Sequence, residues 1–217
     1  MKHRQYNKPP IVEAIIELSF AAPVPRETLL AAMTAGLGTK YSGQRKQQSQ
    51  VTVQTLIQPE AIEVKASQAS MVEFLSTPDG RQLIGCGDSQ LSAHVVAPYP
   101  GWTVFVALLD EAITNLPTEL REAELSAVVI RYIDRIVLPA PPVDLSKLFK
   151  ILPKLPASGP GSLAGLSMIA HRADASGLET VLTLRTDVPD NGDDPAVIVD
   201  NVARQKFAEP CPLGDRK

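Results

Sequence analysis

The fold of this chain is decided by the stretch SAVVIRYIDRIVL, which occupies residues 126–138 of 217. Apolar and polar side chains alternate along most of it, and a period of two residues indicates a β-strand with one buried face. The other face carries Arg131 and Arg135, whose four-residue spacing places both guanidinium groups on the same side. The stretch therefore predicts a long strand whose apolar face packs on a core. That face carries Val128, Ile130, Tyr132, Ile136 and Leu138.

Upstream of this strand, residues 1–122 are predicted to form the first half of the fold in the order strand, helix, strands, helix. Ile11–Phe20 alternates with a period of two and predicts the opening strand. The polar residues 39–50 predict a loop. From Trp102 to Leu116 apolar residues recur on one helical side, which predicts the most regular helix of the chain. Further strands are predicted at 51–57, 62–66, 71–76, 81–85 and 91–95, and the first helix between Pro25 and Gly38.

The second half, residues 123–217, begins with the strand 126–138 and repeats the element order of the first half without its closing helix. A short helix is predicted from Asp144 to Phe149, and strands at 163–172, 178–187 and 196–207. This order predicts an α+β protein in one compact unit: a largely antiparallel sheet with helices packed on one face. A two-fold pseudo-repeat of this kind is similar to TATA-binding-protein-like and helix-grip-like folds, and such a likeness carries no function with it.

Composition excludes several classes of function. There are 24 acidic and 21 basic residues, so a net charge of -3 does not favour nucleic-acid binding. No run approaches the ~18 apolar residues that a membrane helix needs, and the start of the chain lacks a signal-peptide pattern, so we expect no membrane contact and a cytoplasmic protein. No nucleotide, metal or redox motif is present, so no cofactor and no metal are expected.

Three stretches resemble a bacterial family described as sporadically distributed and of unassigned function. They are the opening KPPIVEA at residues 8–14, YPGW at 99–102 and RYIDRI at 131–136. A patchy distribution is typical of horizontally transferred genes, including phage-defence and mobile-element cargo. The resemblance implies a bacterial context of that kind and brings no activity with it.

The candidate binding residues lie on the strand 126–138. Arginine recognises carboxylates and phosphates through paired hydrogen bonds, so Arg131 and Arg135 are candidates for an anion or partner site, together with Tyr132 and Asp134. Asp134 lies on the apolar face, where an unpaired carboxylate is costly. We expect it to bond backbone groups or an arginine of a neighbouring strand, and Asp134→Ala to cost stability.

Other chemistry-bearing residues have structural interpretations. Cys86 is predicted to be a buried thiol, and His94 a surface or hydrogen-bonded histidine. The acidic loop around Asp190 and Asp193 lacks the spacing of a calcium loop. Trp102 is predicted to pack in the core, with a role in partner binding if it proves exposed.

Three hypotheses for function follow, and no catalytic residue is identified. The first is a non-enzymatic binding or interaction protein that belongs to a defence or mobile-element operon. The second is a small-ligand-binding protein with a cavity between sheet and helices. The third is an enzyme that acts on a phosphate-containing substrate through Arg131, Asp134 and Arg135.

The missing closing helix of the second half predicts association. An uncovered sheet face or edge invites pairing with another chain. We therefore expect a homodimer, or a protein partner that covers the surface near Val197, Val199 and Phe207.

Overall fold

A computed structural model describes residues 8–58, 61–138, 167–187 and 194–213. Within these ranges the chain forms nine strands and three helices, and the strands make one antiparallel sheet. This confirms the α+β prediction. The strands are β1 (Ile11–Phe20), β2 (Lys46–Gln58), β3 (Ala61–Ser76), β4 (Gln82–Gly87), β5 (Gln90–Val96), β6 (Glu124–Val137), β7 (Ser167–Ala173), β8 (Leu178–Asp187) and β9 (Ala196–Pro212), and the helices are α1 (Arg26–Leu37), α2 (Trp102–Thr114) and α3 (Thr118–Arg121).

The sheet is organised around the pair β1 and β6, which lie side by side at its centre. The strand order is β2-β3-β4-β5-β1-β6-β9-β8-β7. From β1 the sheet continues outward through β5, β4, β3 and β2, and from β6 it continues through β9, β8 and β7. The long strand predicted at 126–138 is therefore confirmed as β6 and lies in the interior of the sheet.

Alternate residues of the central strands build the core on one face. Ala14, Ile16 and Leu18 of β1 are buried there, and the stripe of α2 that contains Phe105 packs on the same face. Burial of apolar surface of this kind is the main stabilising term in folding. The other main core positions are Leu29, Met33 and Leu37 of α1, Ile84 and Cys86 of β4, Leu91, Ala93 and Val95 of β5, and Leu108, Leu109, Ala112 and Ile113 of α2.

Gly101 sets the start of α2. Its backbone has a φ of 97°, a conformation that side-chain-bearing residues adopt only at a cost. The next residue, Trp102, is the first of the helix, and the Phe105 N–H donates to the Gly101 carbonyl at 3.1 Å. The proline- and glycine-rich segment at 98–101 therefore turns the chain from β5 onto the core face of the sheet.

Several predicted boundaries are wrong, and the pairing of strands explains them. Residues 46–50, predicted as part of a loop, belong to β2, because they pair with β3 in the register Lys46↔Phe74. The same pairing joins the strands predicted at 62–66 and 71–76 into the single strand β3. Partners distant in sequence here override weak local β-propensity. The helix predicted at 144–149 lies outside the described residues, and the pseudo-repeat stays a prediction.

We expect Phe105→Ala to lower the free energy of unfolding by about 3–5 kcal/mol, because it removes a fully buried aromatic ring and leaves a cavity. Val104→Ala, one residue earlier on the same helix, changes an exposed side chain and should cost less than about 0.5 kcal/mol. Urea denaturation of both variants measures the difference. Equal effects would contradict the packing of α2 on the sheet.

Candidate functional site

The sheet face that the helices leave open contains a groove. Because successive side chains of a strand point to opposite faces, the residues between the core positions all project here. The groove has a volume of about 590 Å³. Its lining consists of Glu13, Ile15, Glu17, Lys46, Gln47, Gln48, Val72, Phe74, Leu83, Gln90, Ser92, His94, Val129, Arg131 and Ile133.

The register of the strands fixes which lining residues are neighbours. Glu17 of β1 lies opposite Ser92 of β5, and Ser92 lies opposite Gly85 of β4. A Cβ atom at Gly85 would clash with the Ser92 Oγ and with the Phe74 ring. The missing side chain therefore allows Ser92 and Phe74 to approach each other across β4 at the floor of the groove.

A chain of hydrogen bonds joins Ser92, His94 and Glu13. The Oγ of Ser92 lies 2.9 Å from Nε2 of His94, and Nδ1 of His94 lies 2.9 Å from Oε1 of Glu13. His94 is 8% exposed, and its ring meets Phe74 edge-on at a centroid distance of 5.1 Å. His94 is thus a buried histidine with both ring nitrogens hydrogen-bonded, the second of the two interpretations given to it above.

Glu17 is the carboxylate of the groove that lacks an ion pair. Burial raises its pKa, against the opposing effects of Arg204 and His94 and a hydrogen bond with Gln90. Among the described residues no Lys or Arg nitrogen lies within 4 Å of it, whereas the Glu13 carboxylate is hydrogen-bonded to His94. A partly buried carboxylate without a counter-ion has lost hydration without compensation, and this lowers the stability of the folded state.

Arg131 and Arg135 share the open face, as predicted, but both are held by other groups. Arg131 binds Asp200 of β9 through two bonds, Nε to Oδ1 at 2.8 Å and Nη2 to Oδ2 at 2.6 Å, and this contact raises the pKa of Arg131. Nε of Arg135 lies 3.5 Å from Oδ2 of Asp187, and Nη2 of Arg135 donates a hydrogen bond to the Asp194 carbonyl at 3.1 Å. Only Arg131 of the two lines the groove.

Tyr132 and Asp134 face the helices instead. Tyr132 packs edge-on against Phe105 and Tyr99 at centroid distances of 6.3 and 5.9 Å, and burial raises its pKa. The Oδ1 atom of Asp134 is buried without a hydrogen-bond partner among the described residues. The sequence predicted a backbone group or an arginine of a neighbouring strand as the partner of Asp134, and among the described residues neither bonds this atom.

The predicted partner surface on β9 needs correction. From Ala196 to Gln205, β9 is hydrogen-bonded to β6 on one side and to β8 on the other, so this part of the strand is not an edge. Val197 is 4% exposed and does not contribute to a surface, while Phe207 packs against the core and Val199 is half-buried. Trp102 is 51% exposed, so the prediction that it is core is wrong, and it meets the condition stated for a contact with a partner.

Three further features considered from the sequence are the Cys86 thiol, a metal site and a membrane-spanning helix. Burial raises the pKa of the Cys86 thiol to about 12, which makes it a poor nucleophile. No group of three potential metal ligands occurs in the part of the chain that the structure describes, and the acidic residues 190–193 lie outside it. None of the helices within the described ranges is long and apolar enough to cross a membrane.

Comparisons of the chain with protein-family models, with curated proteins and with solved structures give no match.

Sequence reasoning missed Glu13, Glu17 and Ser92, which the groove brings together. A signal was present for two of them: Glu13 and Glu17 alternate with the apolar residues of β1 and had to share its outer face. Nothing in the sequence placed Ser92 and His94 beside them. That proximity depends on the pairing of β1 with β5, whose contacting residues His94 and Glu13 are 81 positions apart.

We expect Asp134→Asn to stabilise the protein at pH 7, the opposite of the sequence-based expectation for Asp134→Ala. Desolvation raises the pKa of Asp134, so the native state binds a proton more readily than the unfolded state and is penalised at neutral pH. Contact with water reduces this penalty. The gain should vanish as the pH falls below the ordinary value of 3.8, and thermal unfolding at several pH values measures it.

Asp200→Asn is the matched control for this experiment. It removes a carboxylate that two hydrogen bonds hold to Arg131, and we expect it to destabilise the protein at pH 7. A lower melting temperature for Asp134→Asn at pH 7 would show that Asp134 has a stabilising partner.

Proposed function

We propose that this protein is a non-enzymatic binding protein that takes its ligand in the groove on the open face of the sheet. The observation that carries the proposal is the groove itself: about 590 Å³, with polar groups projecting between apolar ones. Sites for small molecules have volumes of about 300–1,000 Å³ and combine apolar walls with a few positioned polar groups.

The polar groups of the groove are held in place before any ligand arrives. Ser92, His94 and Glu13 fix one another through hydrogen bonds, and Asp200 fixes Arg131. All of them project from interior strands of the sheet. Side chains that are already ordered lose little entropy on binding, which favours a binding role.

The ligand-binding hypothesis from the sequence concerned a cavity between the sheet and the helices. On that side the side chains of α1, α2 and the central strands form the buried core. The ligand-binding hypothesis therefore applies to the opposite face.

A serine hydrolase is a second candidate, favoured by the Ser92–His94–Glu13 chain, whose order of groups is that of a catalytic triad. Acyl transfer also requires N–H donors directed at the developing oxyanion. Ser92 lies in an interior strand whose backbone groups pair with β4 and β1, and the carboxylate of Glu17 lies opposite it. A negative charge at that position opposes an oxyanion, so binding is the better interpretation.

An enzyme that acts on a phosphate-containing substrate through Arg131, Asp134 and Arg135 has less support. Asp134 faces the helices, whereas the two arginines face the groove side, so the three groups do not converge on one substrate. Both arginines already have carboxylate neighbours.

The finer fold and the association are also proposals. The outward order of strands from β1 and from β6 supports a duplicated, TATA-binding-protein-like sheet. Glu13 and Glu17 at the centre of its open face oppose contact with phosphates, which supports a ligand other than nucleic acid. A homodimer or protein partner, and a place in a defence or mobile-element operon, stay predictions of the sequence and of the family resemblance.

We expect Ile133→Trp to abolish ligand binding, because it replaces an isoleucine side chain with a bulkier indole ring that fills part of the groove. Ile169→Trp is the matched control: the same substitution on the edge strand β7, at a position 69% exposed and outside the groove. A fragment library is screened by two-dimensional NMR against the whole chain. Fragments that bind should shift the amides of Ile15, His94 and Arg131, and binding should persist in Ile169→Trp.

If no fragment shifts groove amides, or if Ile133→Trp binds the same fragments as the wild type, the groove is not a binding site.

We expect a fluorophosphonate probe to leave Ser92 unmodified, since Ser92 is buried and lies in a strand that pairs with β4 and β1 on its two sides. Mass spectrometry of the intact protein detects the adduct, with trypsin as a positive control under the same conditions. An adduct on Ser92 that disappears in His94→Ala would establish the hydrolase instead.

A further inference from the structure

We propose that the groove recognises an organic cation, a primary amine or a guanidinium group, whose charged nitrogen binds the carboxylate of Glu17 and whose apolar body lies along the groove. This inference rests on the proposed binding function and names the class of its ligand.

The groove is lined by four charged side chains, Glu13, Glu17, Lys46 and Arg131, and His94 is hydrogen-bonded to Glu13. The formal charges of these four side chains cancel, so the sum does not select a ligand. Their environments differ, and a charge removed from water gains far more from a partner than a solvated charge does.

Neither of the two basic side chains of the groove requires an anionic ligand to balance its charge. Arg131 is neutralised by its two bonds to Asp200. Lys46 is exposed on the edge strand β2, where water solvates its ammonium group. An anionic ligand would therefore have to displace an existing ion pair or bind a solvated charge at the rim.

Glu17 is in the opposite situation. It lies on the central strand, partly buried, and among the described residues it has no cation within salt-bridge distance. Glu17 is hydrogen-bonded by the Gln90 amide of β5, and His94 of β5, Arg131 of β6 and Arg204 of β9 act on it at longer range. A cationic group of a ligand would donate a charge-assisted hydrogen bond to the Glu17 carboxylate, which no Lys or Arg of the described residues does.

The walls around Glu17 suit the rest of such a ligand. Val129 lies opposite Glu17 on β6, Ile15 lies two residues away on β1, and Phe74 closes the floor beside Ser92. These side chains offer apolar contact to an alkyl or aryl body, and an aromatic ring near a cation adds further attraction. Glu13, four residues from Glu17 and about 13 Å away along the strand, gives a second carboxylate for ligands with two amines.

The test uses three probes of equal length that differ in the head group: heptylamine, heptan-1-ol and heptanoate. Each is titrated into the whole chain, and groove amides are followed by NMR. We expect heptylamine to bind at the groove, and heptan-1-ol and heptanoate to bind at least about tenfold more weakly, which is the effect of about 1.4 kcal/mol.

Three variants connect the effect to Glu17. Glu17→Gln keeps the shape and removes the charge, and we expect it to weaken heptylamine about tenfold while leaving heptan-1-ol unchanged. Glu17→Asp keeps the charge and should retain the preference for the amine. Glu119→Gln, on the exposed helix α3, is the matched control and should bind as the wild type does. Thermal unfolding establishes that each variant is folded.

The outcomes separate the two proposals. If heptan-1-ol or heptanoate binds the groove as tightly as heptylamine, or if Glu17→Gln keeps its affinity for heptylamine, the ligand is not a cation and the binding function stands. If none of the three probes reaches the groove while library fragments do, the cation proposal again fails alone. If neither probes nor fragments bind there, both proposals fail.

Discussion

The pairing of β1 with β6 is the interaction on which the rest of the structure depends. In its register Ile16 lies opposite Ile130 on the helix side, and Ile15 lies opposite Arg131 on the groove side. Each strand therefore supplies the core with one set of residues and the groove with the other. A slip of one residue would bring Glu13 and Glu17 into the core, at a cost of several kcal/mol for each unpaired charge. The same contact thus sets the fold and the chemistry of the site.

The charged groups of this sheet differ in how deeply they are buried and in whether they have a partner of opposite charge. Arg131 pairs with Asp200, Glu13 is hydrogen-bonded to His94, and Lys206 of β9 pairs with Glu179 of β8. Two partly buried carboxylates, Glu17 and Asp134, have no ion pair among the described residues, and burial raises the pKa of both. Asp134 faces the packed side, where we treat it as a cost to stability. Glu17 faces the open groove, where a ligand has room to approach it.

The sequence predicted the parts of this arrangement that depend on near neighbours. Alternation within 126–138 located β6 and put Arg131 and Arg135 on one face, and the apolar stripe after Trp102 located α2. It failed where distant segments meet. Polar residues at 46–50 form a strand because β3 pairs with them, and β9 is covered because β8 pairs with its outer side. The groove belongs to this second class, since its walls come from six strands that are joined only by pairing.

The division of each central strand into two faces has a consequence for how such a protein changes over evolutionary time. A substitution at Glu13, Ile15 or Glu17 of β1 alters what the groove selects, whereas one at Ala14, Ile16 or Leu18 alters how tightly the helices pack. Stability and ligand specificity therefore depend on two different sets of residues that alternate along β1. Descendants of this chain are free to diverge in ligand preference while their interior stays the same, and a residue-by-residue comparison of relatives should find the two subsets drifting at different rates.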